Sequence, residues 1–323
     1  MTSWSSHLCC DAGSEFCPCY LAEVNRCVNC SLLSGQERCE CAWTGSCIFS
    51  EFRWNGRASR ALRGTVESRL VRKSTVGRDA FVLTVSVPSW LGRSLRAPGS
   101  FVFLRPQDRP QIFDVPLSTM QVGDGGHEVH LAVQDVGPKT AALNSEDELF
   151  ACRGPFFSGM TGLESLKMPA KNALIVAKGI SQGRGAHVAC YLRRRGAGVT
   201  LACGPGPVEA VFAPQWLDAS GITLVELPRR PDHSRQDIIG LVRSRPWDLV
   251  ISAGPDVQHR MVQDILAAQL PRARRAYTNN TLMCCGEGVC GTCYHSVGSE
   301  TIKLCKAMPA VSTLSFRGGG AGV

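Results

Sequence analysis

The sequence predicts a multidomain β plus α/β protein in which an antiparallel β-barrel is followed by a doubly wound parallel α/β domain, with a small cysteine-rich metal domain at each end. Three observations lead there. Short alternating apolar stretches separated by Gly, Pro and Asp run from about 64 to 155, and from 172 to 281 apolar strands alternate with helical stretches. Of the 17 cysteines, nine precede residue 48 and five lie between 284 and 305. The expected boundaries are 1–55 for the amino-terminal module, 60–165 for the barrel, 170–281 for the α/β domain, 282–310 for the carboxy-terminal domain and 311–323 for a flexible tail.

Composition narrows the class. A chain of 323 residues with 44% hydrophobic and 19% charged residues buries a sizeable core. The start, MTSWSSHLCC, lacks a basic segment and an apolar stretch, and no apolar run approaches the roughly 18 residues that span a bilayer. A cytoplasmic protein without membrane insertion is expected. The formal charge of +8 comes from 35 basic residues of which 28 are arginine. Their runs are short and carry no interleaved aromatics, which argues for a solvated surface and against nucleic acid.

The first 50 residues lack the periodic apolar pattern of a core, so metal ligation has to supply what packing does not. After the Cys9–Cys10 pair, Cys17, Cys19, Cys27, Cys30, Cys39, Cys41 and Cys47 occur within 31 residues. Seven thiols exceed the need of one tetrahedral metal. The spacings C-x-C, C-x2-C and C-x-C suit a [4Fe-4S] cluster or structural zinc, since both take four thiolates. Trp43, Phe49, Phe52 and Trp54 are expected to pack this module onto the barrel.

Barrel strands are expected at GTVESRLV, AFVLTVSV, SFVFLRP and HEVHLAV. Beyond them come NALIVAK, HVACYLRRR, VTLACG, VEAVFAPQWL, ITLVEL, DIIGLVRS, DLVISAG and VQHRMVQDILAAQ. This alternation of strand and helix builds a parallel sheet whose ligand crevice lies at the carboxyl ends of its strands. The final RGGGAGV reads as disordered tail.

The most specific signal is MCCGEGVCGTCYHSVGSETIKLC, where Cys285, Cys290 and Cys293 follow C-x4-C-x2-C spacing and Cys305 returns after a hairpin. This is the plant-type [2Fe-2S] spacing. Soft thiolates hold iron through a change of oxidation state, and Gly286, Gly288 and Gly291 leave the backbone free to turn amides toward sulfur. A structural zinc site also takes four thiolates, but zinc ribbons present two C-x2-C knuckles. Cys284 reads as a buried neighbour of the first ligand.

That segment, with LCKAMPA after it, resembles the end of the electron-transfer subunit of dihydroorotate dehydrogenase and of the related small subunit of ferredoxin:NADP oxidoreductases, over roughly residues 64 to 309. The resemblance implies an FAD-binding-type barrel, an NAD(P)-binding-type α/β domain and a [2Fe-2S] domain passing electrons between a pyridine nucleotide and a partner oxidoreductase subunit or another electron-transfer protein. Pro98, Gly99 and Phe101 match the family's P-G-x-F turn. In FDVPLSTM, Pro116, Leu117 and Ser118 match its R-x-P-x-S strand near the flavin ring, but Asp114 stands where an arginine meets the FAD phosphates. Gly137, Lys139 and Thr140 resemble its G-K-G-T pyrophosphate loop, and Gly154, Pro155 and Gly159 its G-P-x-G-x-G segment.

For the nucleotide, the family's G-G-G-x-G-x-A-P turn corresponds to AKGISQGRG, where Gly179 and Gly183 sit beside Ser181, which replaces a glycine, and Arg184, which replaces the proline. Arg184 and Lys178 are expected to grip phosphate. Gly254, Pro255 and Asp256 resemble a second loop that lies beside the nicotinamide. The function expected is that of an iron-sulfur flavoprotein subunit moving electrons among NAD(P)H, FAD, the [2Fe-2S] cluster and a partner. The altered positions leave open a non-catalytic wire or docking subunit, and the amino-terminal cysteines a zinc-based interaction module.

Overall fold

The computed structural model describes residues 7–314 and 316, apart from 146, 218–220, 230, 298 and 299, and describes 231–234 by backbone alone. The tail RGGGAGV lies outside the described residues. The chain divides into two compact units, one of residues 1–64 and 281–315, the other of 65–280 and 316–323. The two cysteine-rich ends, expected as separate domains, thus share one unit.

In the first unit β1 (Leu8–Cys9), α1 (Tyr20–Glu23) and α2 (Ile48–Trp54) come from the amino-terminal segment. Ala22, Cys30, Leu33, Ile48 and Phe52 form its small core, with Trp43 and Phe49 packed against it. Phe52, Phe49 and Trp43 therefore serve the module's own interior, and Trp54 is 82% exposed.

The second unit begins with β2 (Thr65–Gly77), β3 (Ala80–Ser86), α3 (Ser89–Ser94), β4 (Phe101–Pro106), β5 (Val115–Val122), β6 (Glu128–Gln134), α4 (Pro138–Leu143) and β7 (Leu149–Phe156). The strands close into a barrel in the order β2-β3-β6-β5-β4-β7. Period-two alternation sends Leu83, Val102, Leu104, Leu117, Leu131 and Phe150 inside. Then follow β8 (Met160–Thr161), α5 (Leu163–Lys167), β9 (Asn172–Lys178), α6 (Gln182–Arg194), β10 (Gly198–Gly204), β11 (Ile222–Glu226), α7 (Pro231–Arg243), β12 (Leu249–Ala253), α8 (Asp256–Gln269) and β13 (Arg274–Thr278). Their sheet runs β11-β10-β9-β12-β13-β8, parallel except for the edge strand β8.

The segment VEAVFAPQWL, expected to be helical, contains only 3-10 turns at 206–208 and 213–216. Pro207 and Pro214 lack the amide hydrogens that a helix interior needs. Barrel and sheet meet along the outer face of β5 and β3, where Val82 and Met120 pack with Val208 and Phe212. Each such side chain contributes about 1.5–3 kcal/mol by its burial.

The chain then returns to the first unit through β14 (Tyr294–Val297), β15 (Glu300–Lys303) and β16 (Ala307–Met308). β14 and β15 pair antiparallel, and β16 pairs with β1, Leu8 opposite Met308 and Cys9 opposite Ala307. Beside that pairing lies a buried set of four charges. Arg63 donates to Asp11 at 2.6 Å and to Glu287 at 2.9 Å, and Lys306 donates to the same two carboxylates at 2.6 and 2.8 Å. Burial pulls the Asp11 carboxyl up, and the Lys306 and Arg63 charges overcome it and hold Asp11 below its ordinary value. The Arg63 guanidinium also lies 3.9 Å from the centre of the Phe16 ring.

Candidate redox centres

The loop 284–293 and the hairpin β14–β15 bring the carboxy-terminal thiols together. Leu304 donates its amide to the Cys293 carbonyl at 3.0 Å, which sets Cys305 beside Cys293. Cys305 shares side-chain hydrogen bonds with Cys285 and Cys293, and Cys285 another with Cys290. The amides of Glu287 and Cys290 donate to the Cys285 sulfur at 3.3 and 3.4 Å. Donors aimed at a ligand sulfur are what an iron-sulfur loop supplies around its metal. Hydrogen bonding from Cys305, helped by those amides, pulls the Cys285 thiol down to about 3, and the bond to Cys305 pulls Cys293 to about 7, while the same bonds push Cys305 up. Cys285 and Cys293 are thus biased toward thiolate, the form that binds iron.

Gly288 shows why the loop needs glycine. Its φ is +78°, and a Cβ there would sit 3.1 Å from Leu21 and 3.2 Å from Lys306. Cys293 and Cys305 are buried and Cys290 is exposed. Cys284 is exposed as well, not the buried neighbour expected; it follows residues 281–283, which belong to no helix or strand.

On the barrel, three of the segments expected to meet a flavin converge on one point, and Arg184 from α6 occupies it. Its guanidinium donates to the Ser100 carbonyl at 2.6 Å and to the Ser118 hydroxyl, and a Cβ at Gly159 would lie 2.4 Å from it. Arg184 is 3% exposed and thus turned inward, away from the phosphate-gripping position the sequence suggested. Its Nε is buried without a partner, and among the described residues no carboxylate pairs with it. Burial pushes the guanidinium down to about 9. A buried cation among neutral acceptors is short of an anion, and a flavin nucleotide offers electron-rich carbonyl and phosphate oxygens of the right sign.

Asp114 is not a gap in positive charge. Arg105 donates to it at 2.7 Å and Arg153 at 3.1 Å, so two arginines from β4 and β7 stand where the motif has one. Arg153 stacks at 4.6 Å over Phe103 and 5.2 Å over Phe156. Along β5, Pro116 is exposed, Ser118 half-buried and Leu117 buried in the barrel. At α4, Thr140 accepts from the Val136 and Gly137 amides at 3.0 and 3.1 Å, and Lys139 is exposed. Gly154 and Pro155 are buried in β7. These groups fit a flavin nucleotide. Arg105, Arg153 and Ser100 had not been singled out, although their segments had; only the fold shows that β4 and β7 flank Asp114.

In the α/β domain β9 and β12 are neighbours, with β10 on one side and β13 on the other. The loops carrying Gly179–Gly183 and Gly254–Asp256 therefore both leave the sheet at its topological switch point, where doubly wound folds bind ligands. The first is a tight 3-10 turn, Gly179–Ser181, with Gly179 at φ +59° against Pro207. Ser181 is half-buried, and Gly183 is pressed against the barrel. Gln182 is wholly buried, donating to the Gly204 and Ala210 carbonyls and accepting from the Phe212 and Ala213 amides. A cavity of about 600 Å³ opens past the ends of β10 and β11, lined by Pro205, Glu209, Glu226 and Arg229 among others. In the second loop Asn280 donates to the Gly254 carbonyl and to Asp256, both at 2.8 Å.

No family model matches the chain. Over 203 residues it is 27% identical to a probable dihydroorotate dehydrogenase B (NAD(+)), electron transfer subunit, of Archaeoglobus fulgidus, covering 62% of this chain and 81% of the relative. The fold is that of ferredoxin-reductase-type proteins. An NADH-dependent reduced ferredoxin-NADP oxidoreductase described for flavin-based electron bifurcation superposes with a TM-score of 0.59 at 19% identity, over 75% of this chain and 86% of its own. Phthalate dioxygenase reductase, described as a modular structure for electron transfer from pyridine nucleotides to [2Fe-2S], superposes with a TM-score of 0.51 at 15% identity, over 77% and 96%.

Proposed function

We propose that this chain is an electron-transfer subunit that passes electrons between NAD(P)H, FAD, a [2Fe-2S] cluster and a partner oxidoreductase. The observation that carries the reading is the meeting of Cys305 with the loop that holds Cys285, Cys290 and Cys293 and whose amides already point at sulfur. Bound FAD supplies the junction between two-electron hydride chemistry and one-electron cluster chemistry. The chain's own part is positional: Arg184, Ser118, Arg105 and Arg153 orient and neutralise the flavin, and the glycine loop shields the cluster. Among the described residues no helix is long and apolar enough to cross a membrane, and the relative's description as a subunit supports a protein partner.

Anaerobically purified protein should carry FAD, and dithionite should produce a low-temperature paramagnetic signal that Cys293→Ser removes. An unchanged signal in that variant would place the cluster elsewhere. The inward turn of Arg184 and the tight Gly179–Ser181 turn favour a second reading, a wire or docking subunit that takes no electrons from a nicotinamide. Stopped-flow mixing with NADH and NADPH separates the two, since only the first bleaches the flavin.

A further inference from the structure

Arg184 is a cation that the described residues leave uncompensated. It is 3% exposed, donates to the Ser100 carbonyl at 2.6 Å and to the Ser118 hydroxyl, and has its Nε buried with no acceptor among them. Burial shifts it downward, no carboxylate among the described residues acts on it, and it keeps its proton at pH 7. The backbone makes room for it: a Cβ at Gly159 would collide with the guanidinium and lie 2.7 Å from the Gly99 carbonyl oxygen. A buried charge without a counter-ion is costly. Beside it, the Ser118 hydroxyl accepts from Arg184 and so has its own proton free to donate.

Position along the strand separates this cation from the others. Val115 and Leu117 point into the barrel, so Asp114, Pro116 and Ser118 share its outer face. Asp114, which gathers Arg105 and Arg153, stands four residues before Ser118, about 13 Å along an extended strand. That is the order of the span from the phosphates of a flavin nucleotide to the pyrimidine end of its ring. With the phosphates near Arg105 and Arg153, Arg184 meets the ring.

We propose that Arg184 makes flavin binding by this chain depend on redox state, holding the two-electron-reduced, anionic ring more tightly than the oxidised, neutral one. This rests on the flavin reading above and gives it a direction. Two electrons from the nucleotide or another donor, with one proton taken up at N5, leave the ring negative at N1 and the C2 oxygen. Arg184 is charge-matched to that state and not to the neutral one. By linkage, each tenfold preference for the reduced form raises the two-electron potential of the bound flavin by about 30 mV. The chain is thereby biased toward accepting electrons from a hydride donor.

Anaerobic equilibrium ultrafiltration of the flavin-stripped full-length chain with FAD, oxidised or dithionite-reduced, tests this, with free FAD measured by absorbance after reoxidation. The parent should bind reduced FAD about ten- to a hundredfold more tightly than oxidised FAD. The potential of bound FAD should correspondingly lie about 30–60 mV above that of free FAD in the same buffer. Arg184→Gln should bring the two affinities together, and Arg184→Lys, which keeps the charge, should retain part of the difference. Equal affinities in the parent, tighter binding of the oxidised form, or a difference that persists in Arg184→Gln would overturn the proposal and leave the flavin reading standing. No binding of FAD in either state would overturn that reading and the proposal with it. The parent's two affinities and its potential test the proposal even where a variant fails to fold.

Discussion

Asp114 shows how a residue that departs from a motif acquires meaning from its neighbours. Read along the chain it is an acid in place of a phosphate-binding arginine; in the barrel it is the shared acceptor of Arg105 and Arg153. Restoring the motif as Asp114→Arg should therefore set three guanidinium groups together, cost about 3 kcal/mol or more, and lower flavin content rather than raise it. Thermal unfolding together with released flavin would check both. His187 and His259 carry a second consequence. Burial pushes both imidazoles down to about 4, with the nearby Arg184 charge also acting on His187. In the unfolded chain they protonate below about pH 6.5. Their contribution to stability is thus intact above pH 6.5 and is lost as pH falls toward 4, about 2 kcal/mol for each by pH 5. The denaturant midpoint of the second unit should fall between pH 7 and pH 5, and His187→Asn should remove about half of that fall.

The element that joins barrel to sheet is α6, and its first turn explains what the sequence conveyed and what it withheld. Periodicity located the strands on either side, β9 and β10, because burial on both faces leaves continuous apolar runs such as ALIVA. The resemblance also located the turn between them, but which way Gly183 and Arg184 face depends on a barrel more than 50 residues earlier. A Cβ on Gly183 would come within 3.0 Å of Ala132 and 3.5 Å of Met120. Gly183→Ala should push the helix off β5 and β6, destabilise the second unit by about 1–3 kcal/mol, and loosen flavin retention. Gly240→Ala, with open space around its Cβ, is the control helix substitution and should leave both nearly unchanged. The segment 208–217 has apolar spacing that mimics a helix, but Pro214 inside it and Pro207 just before it decide against one.

At the scale of the whole molecule, the two ends of the chain depend on each other. Cysteine spacing made both metal-binding segments legible, yet nothing in spacing shows that β1 pairs with β16 or that Asp11 is buried against Lys306, the residue after a cluster thiol. Removing residues 1–64 should therefore abolish the [2Fe-2S] signal instead of leaving it intact, because Glu287 and Lys306 lose two of their partners and β16 loses its neighbour. Lys306→Met in the full chain should weaken the cluster in the same direction, since breaking a buried ion pair from one side costs about 3–5 kcal/mol. Paramagnetic resonance after reduction, normalised to iron, measures both; a full signal in the truncated chain would show that the ends are independent.

A unit assembled from both ends also imposes an order on biosynthesis. Residues 1–64 leave the ribosome first and must wait while 65–280 are made. At about 5–20 residues per second that interval lasts about 10–40 s, during which the barrel and sheet have everything they need to fold and the first nine cysteines lack the strand and the lysine that complete their surroundings. The nascent chain thus leaves a segment with nine of its 17 cysteines without its final neighbours until the rest of the chain has been made.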